Sequence, residues 1–532
     1  MNSFNNTVNK INGRVNKFYG MFNFNNVTLS KSVKLFTFLV PVFCFYLYIG
    51  VFKYIHIRPS SIHISAQTQR ASIALNYYKA DMNFFKPRIQ RHIEGEGITG
   101  GEFPIIYYMG AVMYKLFGFN EMYLRVISLI LVTLGLYLFY LMAAKILKNN
   151  IIAVIITISA SLSPVFLFYT PNFMPDAPSM ALHLGAWYFF FKFLSNNSKK
   201  TFYWFVVFGV LASLIKAIAF IAFIVVGCLL VLDKLKYFKN YKNGKLFDNH
   251  FFIIKSLTIG TLVFLSWYVY ASWLTKHYKY HSFALEPVMV DSWKAAMDVF
   301  IYIKNLWSQY YYGYESYVLL VIALTFVLIL MKYANRLLLT ITILNLFGSI
   351  CYFYLFLNQF QHHDYYIIAI LPTVFFLLLT FGEMIVRFSE KKFALVNVIF
   401  IVIMFFNMKE GVKYCRKIYE QRNTRYIYYW AGDYRAYEDL EPKLRKAGIK
   451  RTDRFISAFD ESYCGSLYLM DQLGVNLGSK TNKEEIDSLV KHPNLKYLIL
   501  SDSAKFNQIY PNDFKDKIIL YHRGLIIYKL KE

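Results

Sequence analysis

The chain has 532 residues, of which 57% are hydrophobic, 19% aromatic and only 17% charged. Soluble globular chains carry about 45–50% apolar and about 25% charged residues, so a disordered, collagenous or ordinary cytosolic protein is excluded. Lys and Arg (58) exceed Asp and Glu (32) by 26, an excess that suits a nucleic-acid surface or the cytoplasmic loops of a membrane protein.

Residues 1–33 are polar and Asn-rich and read as a cytoplasmic tail. After them come apolar runs long enough to cross a ~30 Å hydrocarbon layer as helices. They cover 35–55, 123–146, 151–169, 178–194, 202–232, 251–273, 317–331, 337–357, 366–381 and 393–408. The run 202–232 is long enough for two short spans, with a break near Ser213–Lys216. The expectation is an α-helical polytopic membrane protein with about 11 transmembrane helices. The domain from 34 to 409 crosses the membrane, and a small α/β domain follows over 410–532.

Lys and Arg in short loops orient such a chain. With the N-terminus cytoplasmic, that side collects Lys10, Arg14, Lys17, Lys31, Lys34, Lys145, Lys148, Lys199, Lys200, Lys234, Lys236, Lys239, Lys242, Lys245, Lys332, Arg336, Arg387, Lys391 and Lys392. Residues 56–122, 170–177, 274–316, 358–365 and 409–532 then lie outside. The basic excess is topology, and no nucleic-acid partner is expected. The first span is too long, and starts too late, for a cleavable signal peptide. Five cysteines are too few for a disulfide framework.

In the C-terminal domain, 441–447 and 467–473 read as helices, and 454–459, 496–501, 517–521 and 525–530 as strands. The loop 56–122 combines ionisable residues, a helical stretch at 71–78, clustered Gly and Pro, and the apolar run 103–117. That run is too short to span and has both ends on one side, so it is interfacial or re-entrant. Such a loop suits a lipid with a polar head group; the bland alternative is a cover for the bundle.

Few charged residues fall near apolar segments. Asp176, between Pro175 and Pro178, either caps a helix or acts as a carboxylate. Lys216, inside an apolar stretch, marks an anion site unless its amine snorkels. Arg125 opens a span from outside and is a phosphate-binding candidate. The series His362, His363, Asp364, Tyr365 binds a metal or phosphate, or is a polar start to a helix.

The ordered series Ala71–Tyr78, Met82–Arg88, Gly101-Glu102-Phe103-Pro104, Leu116–Gly118 with Arg125, Phe173–Pro178 and His363–Tyr366 resembles the membrane glycosyltransferases of the GT-C class. The bacterial relatives of protein O-mannosyltransferases and of the lipid A aminoarabinose transferase resemble it most. The resemblance covers about residues 35–410, and the C-terminal domain also looks like theirs.

The resemblance implies transfer of a sugar from a polyprenyl-phosphate-linked donor to an acceptor saccharide, lipid-linked saccharide or protein, outside a bacterial inner membrane. Lys216, Arg125 and Arg88 would stabilise the leaving phosphate. A carboxylate, Asp176 or else Glu102, would deprotonate the acceptor. His363, Asp364 and Tyr365 would contact substrate. Glu102 with His362 and His363 would be the ligands if a divalent metal ion takes part. One departure stands out: Gln69 occupies the place where these relatives carry an Asp, and Arg70 beside it points to a different phosphate contact, so both are substrate- or phosphate-binding candidates. The alternative is therefore an altered relative that handles the lipid-linked saccharide without transfer.

Overall fold

The computed structural model describes residues 30–239, 241, 244–279, 289–391, 394–424, 434–501 and 517–531. Most of the polar tail, with Lys10, Arg14 and Lys17, lies outside the described residues, as do Lys242 and Lys392.

Helix α1 (Lys31–Ile49) ends on Gly50, whose φ of 90° stops it. Its exposed Phe36, Val40, Phe43 and Leu47 recur at spacings of three and four, the stripe a helix turns toward lipid. Helices α2 (Ile64–Lys79) and α3 (Ile105–Phe117) lie in the long loop. Helix α4 (Met122–Leu147) follows. The predicted span 151–169 is broken into α5 (Asn150–Ala160) and α6 (Pro164–Tyr169). Pro164 cannot continue a helix from before it but can start one, and Ser163 Oγ caps the new turn at Phe166 N.

Helices α7 (Asp176–Asn196), α8 (Lys199–Ile215), α9 (Ile221–Lys234) and α10 (His250–Tyr278) come next. The predicted break in 202–232 is present: α8 stops at Lys216, which is extended (φ −142°, ψ 116°), and a 3₁₀ turn over Ala217–Phe220 restarts the chain. The region 274–316, expected only as a loop, also contains α11 (Trp293–Leu306) and α12 (Ser308–Tyr311). Then come α13 (Tyr314–Ile329), α14 (Arg336–Leu355), α15 (Leu357–His362), a 3₁₀ turn over Asp364–Ile370, α16 (Leu371–Lys391) and α17 (Ala394–Thr424).

Among the described residues six segments are long and apolar enough to cross a membrane: α1, α4, Ala217–Lys234, α10, α14 and Asp364–Phe388. Hydroxyl pairs tie α14 to α16, Thr342 to Thr380 at 2.8 Å and Ser349 to Thr373 at 2.6 Å. Interhelical hydrogen bonds of this kind replace the hydrophobic drive that lipid does not supply.

The C-terminal domain contains α18 (Arg435–Glu438), α19 (Glu441–Lys446), β1 (Arg454–Ala458), α20 (Gly465–Leu469), β2 (Leu473–Leu477), α21 (Lys483–Lys491), β3 (Leu495–Leu500), β4 (Ile518–His522) and β5 (Leu525–Lys529). The sheet order is β2-β1-β3-β5-β4. β1 pairs in parallel with both neighbours, and β5 runs antiparallel to β3 and β4. The expected helix 467–473 is shorter, and β2 follows it. Gly474 and Asn476 are poor strand formers, so β2 carries little local signal. Gly474 is needed there, since a Cβ would lie 1.9 Å from Phe455 O.

This domain is locked to the long loop. Gly474 N donates to Gln90 O at 3.1 Å, and Arg451 Nη2 donates to Asn76 Oδ1 at 2.6 Å. Arg58 Nε reaches Glu121 at 3.0 Å, its Nη1 reaches the Glu438 and Leu469 carbonyls, and Tyr468 OH donates to the same Glu121.

Candidate functional site

A cavity of about 600 Å³ opens where α2, the 100–104 segment, the start of α7 and the α8 break meet. Its position follows from local backbone. Gly100 lets the 100–104 segment press on α10, where a Cβ would lie 1.8 Å from Ala271 O. Trp267 Nε1 donates to Gly101 O at 3.0 Å, and Phe103 N to Leu214 O at 3.0 Å. Glu102 is thereby held beside the end of α8, where Lys216 leaves the helix.

Four charged side chains converge there. Arg70 Nε donates to Glu102 Oε1 at 2.8 Å and its Nη2 to Oε2 at 3.3 Å. Lys216 Nζ lies 3.2 Å from Glu102 Oε2 and 3.4 Å from Asp176 Oδ1. Tyr107 OH also donates to Glu102. Two cations thus face two carboxylates, and the formal charge of the cluster is nil. Buried charges are tolerated only when paired in this way.

The two carboxylates differ in what they have left to give. Both Glu102 oxygens are engaged. Burial alone would raise the Glu102 carboxyl, but Arg70 and Lys216 overcome it and hold it down to about 2. Asp176 lies ahead of the apolar stretch 178–194, and its Oδ2 is buried and accepts no hydrogen bond among the described residues. Burial pushes its carboxyl above the ordinary value, against the pull of Lys216 and Arg70. An ionised Glu102 that cannot take a proton thus stands beside an Asp176 that can.

The rest of the wall is part aromatic, with Tyr268, Tyr352, Tyr365, Tyr366 and Tyr463, and part aliphatic, with Met180, Ile215, Ile218 and Ile221; Gln69 and His363 also line it. Tyr463 comes from the C-terminal domain, where its N–H donates to Ser65 Oγ at 2.8 Å. The His363 ring is driven down to about 3, first by burial and then by the neighbouring His63. It is a neutral hydrogen-bonding group and no counter-charge for phosphate.

Of the residues expected from the sequence, Gln69, Arg70, Glu102, Asp176, Lys216, His363 and Tyr365 line this one cavity. Three do not. Arg88 clasps its own loop through Asp81 and Glu96. Arg125 is buried, donates to the Pro171 and Arg58 carbonyls and stacks over Phe173 at 4.7 Å, which braces the 170–177 loop. Asp364 is fully buried and bound by Arg422, by His63 at 3.1 Å and by Tyr169 OH at 3.1 Å. It ties α6, α17 and the start of α2 together and has no face left for a substrate.

The metal set is not assembled either. Among the described residues no three His, Cys, Asp or Glu side chains converge. Glu102 is taken by cations, and His362 opens on a different cavity from Glu102. This donor set does not fit a divalent ion.

Sequence reasoning missed His63, Tyr107, Tyr463 and Arg422. Tyr107, five residues beyond Glu102 in an apolar helix, was the one with a local cue. The others are ordinary residues until the fold brings them in.

Residues 102–270 match the sequence profile of the family described as dolichyl-phosphate-mannose-protein mannosyltransferase. No curated protein matches the chain. The structure is similar to that of ArnT from Cupriavidus metallidurans in the apo state, with TM-score 0.57 and 11% identity over 92% of this chain and 98% of that one. The same ArnT bound to undecaprenyl phosphate gives TM-score 0.56 and 10% identity over 93% and 98%. The archaeal oligosaccharyltransferase AglB from Archaeoglobus fulgidus, in complex with an inhibitory peptide and a dolichol-phosphate, gives 0.50 and 12% over 89% and 70%. The fold is that of the GT-C membrane glycosyltransferases.

Proposed function

We propose, from this GT-C fold and the charge cluster within it, that the protein moves a sugar from a polyprenyl-phosphate carrier to an acceptor hydroxyl at the outer face of the cytoplasmic membrane. The observation that carries the reading is the buried, unpartnered Asp176 Oδ2 beside Lys216 and Arg70 in an aromatic-lined cavity. The polyprenyl-phosphate ligands of ArnT and AglB support the donor class.

Chemically the step is a single displacement. The acceptor oxygen bonds to the anomeric carbon while the bond from that carbon to the phosphate oxygen breaks. Asp176 Oδ2 takes the acceptor proton, and the electron pair leaves on the phosphate. Lys216 and Arg70 stabilise the charge that develops there, an electrostatic contribution that a buried site strengthens. Glu102 does not react; it holds both cations in place. Tyrosines around the cavity present faces and hydroxyls to the sugar.

Lys216→Gln tests the phosphate role. In bilayers supplied with a polyprenyl-monophosphate sugar, this variant binds the donor about 10–100-fold more weakly, the worth of a charged hydrogen bond. Unchanged donor affinity would remove Lys216 from the phosphate site. A second test is the pH profile. Asp176 must be ionised to act and its carboxyl is raised, so the transfer rate falls as pH drops, and does so at a higher pH than an ordinary aspartate would give. Glu102 stays ionised throughout, so this limb follows one proton. A rate that is flat to the ordinary carboxylate range would exclude Asp176 as base.

The resemblance favours a second reading, binding without transfer: it implies an Asp at the place of Gln69, a neutral residue that lines the cavity. Absence of product with every polyprenyl-phosphate sugar tried, together with retained donor binding, would establish it.

A further inference from the structure

A second cavity, of about 180 Å³, adjoins the first and shares His63 and Ser65 with it. It is too small to be a ligand site alone, since such sites run to about 300–1,000 Å³; it has the size of a subsite. Its walls come from three parts of the molecule: the start of α2, the α11–α15 region and the C-terminal domain.

The C-terminal contribution is Glu461 and Ser462, in the turn that leaves the carboxyl end of β1. β1 is the strand at which connections diverge. The chain leaves it for β2 on one side, whereas β3, on its other side, leads on to β4 and β5. In open α/β sheets ligands sit outside the carboxyl ends of strands at such a switch point. Here that end faces the membrane domain.

The turn is held rigid for the purpose. Asp460 accepts from Ser462 N at 2.8 Å, Ser466 N at 3.0 Å and Tyr434 OH at 2.5 Å, and also binds Asn476. Opposite it, Trp307 Nε1 donates to Gln361 O at 2.9 Å. This leaves the indole fixed by its polar end, with Tyr302 beside it on α11.

The lining chemistry selects an occupant. Among its lining residues there is no Lys or Arg, which disfavours a phosphate or carboxylate. Aromatic rings with amide, hydroxyl, imidazole and carboxylate groups suit a ring with one apolar face and a rim of hydroxyls. We propose that this second cavity seats a saccharide unit of the acceptor, stacked on the exposed Tyr302, with the buried Trp307 forming the wall beside it and its hydroxyls toward Gln361, His362 and Glu461. The inference rests on the transferase reading and deepens it: the acceptor is a glycan, entering along the seam between the two domains, with its attacking hydroxyl directed past His63 and Ser65 into the charged cavity.

The test uses the full chain in lipid nanodiscs, with methyl hexopyranosides as probes in saturation-transfer NMR and, separately, transfer kinetics. Tyr302→Ala and Glu461→Gln should each weaken pyranoside binding by about tenfold, the effect of one lost stack or charged hydrogen bond. In transfer they should raise the acceptor KM while donor affinity stays put. Asp176→Asn should bind pyranosides like the parent. If transfer proceeds and both variants keep the parent's acceptor KM, the subsite is overturned and the transferase reading survives. If nothing is transferred yet pyranosides bind in a Tyr302-dependent way, the reverse holds. Binding of hydroxylated peptides in place of pyranosides would overturn the saccharide assignment.

Discussion

Asp176→Asn lowers sugar transfer by about 10²–10⁴-fold, the contribution of a positioned general base, with donor binding retained. The amide keeps the size of the carboxylate and can still accept from Lys216, so the cavity should hold its shape. What disappears is a site for the acceptor proton. Glu102 cannot take over, because Arg70, Lys216 and Tyr107 engage both of its oxygens. The pairing therefore predicts a contrast. Glu102→Gln disturbs Arg70 and Lys216 and should act on donor affinity and rate together, while Asp176→Asn acts on rate alone. Full transfer by Asp176→Asn, measured with purified protein and polyprenyl-phosphate sugar, would sink the assignment of the base.

Asp364→Ala destabilises the protein by about 3–5 kcal/mol, the cost of leaving one partner of a buried ion pair uncompensated. Arg422 is fully buried with its guanidinium between Phe168 and Tyr310, at 5.0 and 4.6 Å. Without Asp364 its charge has no carboxylate against it, and Tyr169 loses an acceptor. Such a variant should unfold at markedly lower temperature in detergent. The double variant Asp364→Leu with Arg422→Met should recover part of the loss, because replacing both charges removes the desolvation cost along with the attraction. A single variant as stable as the parent would show that the pair does not hold α6, α17 and the start of α2 together.

The membrane class and most helix positions were readable because hydropathy is a local property. A run of about 20 apolar residues has few alternatives to a spanning helix. The break at Lys216 was readable for the same reason: a cation in an apolar run is costly enough to mark where the run stops being a helix in lipid. Asp176 and Glu102 stood out for their scarcity near such runs. β2 was missed because Gly474 and Asn476 speak against a strand, and only the neighbouring Phe455 backbone demands the glycine.

Chemical kind along the chain thus decided which residues were candidates, and packing decided their work. Arg125, Arg88 and Asp364 were candidates for substrate alongside Lys216. The fold spends the first on backbone carbonyls, the second on its own loop and the third on Arg422. Glu102 became a holder of cations because Arg70 meets it across 32 residues of chain, and Asp364 became structural because Tyr169 meets it across 195. Burial and helix-forming tendency are paid residue by residue, so they are written in the local sequence. The pairing of charges depends on distances of a few ångströms between remote segments, and only the folded chain sets those.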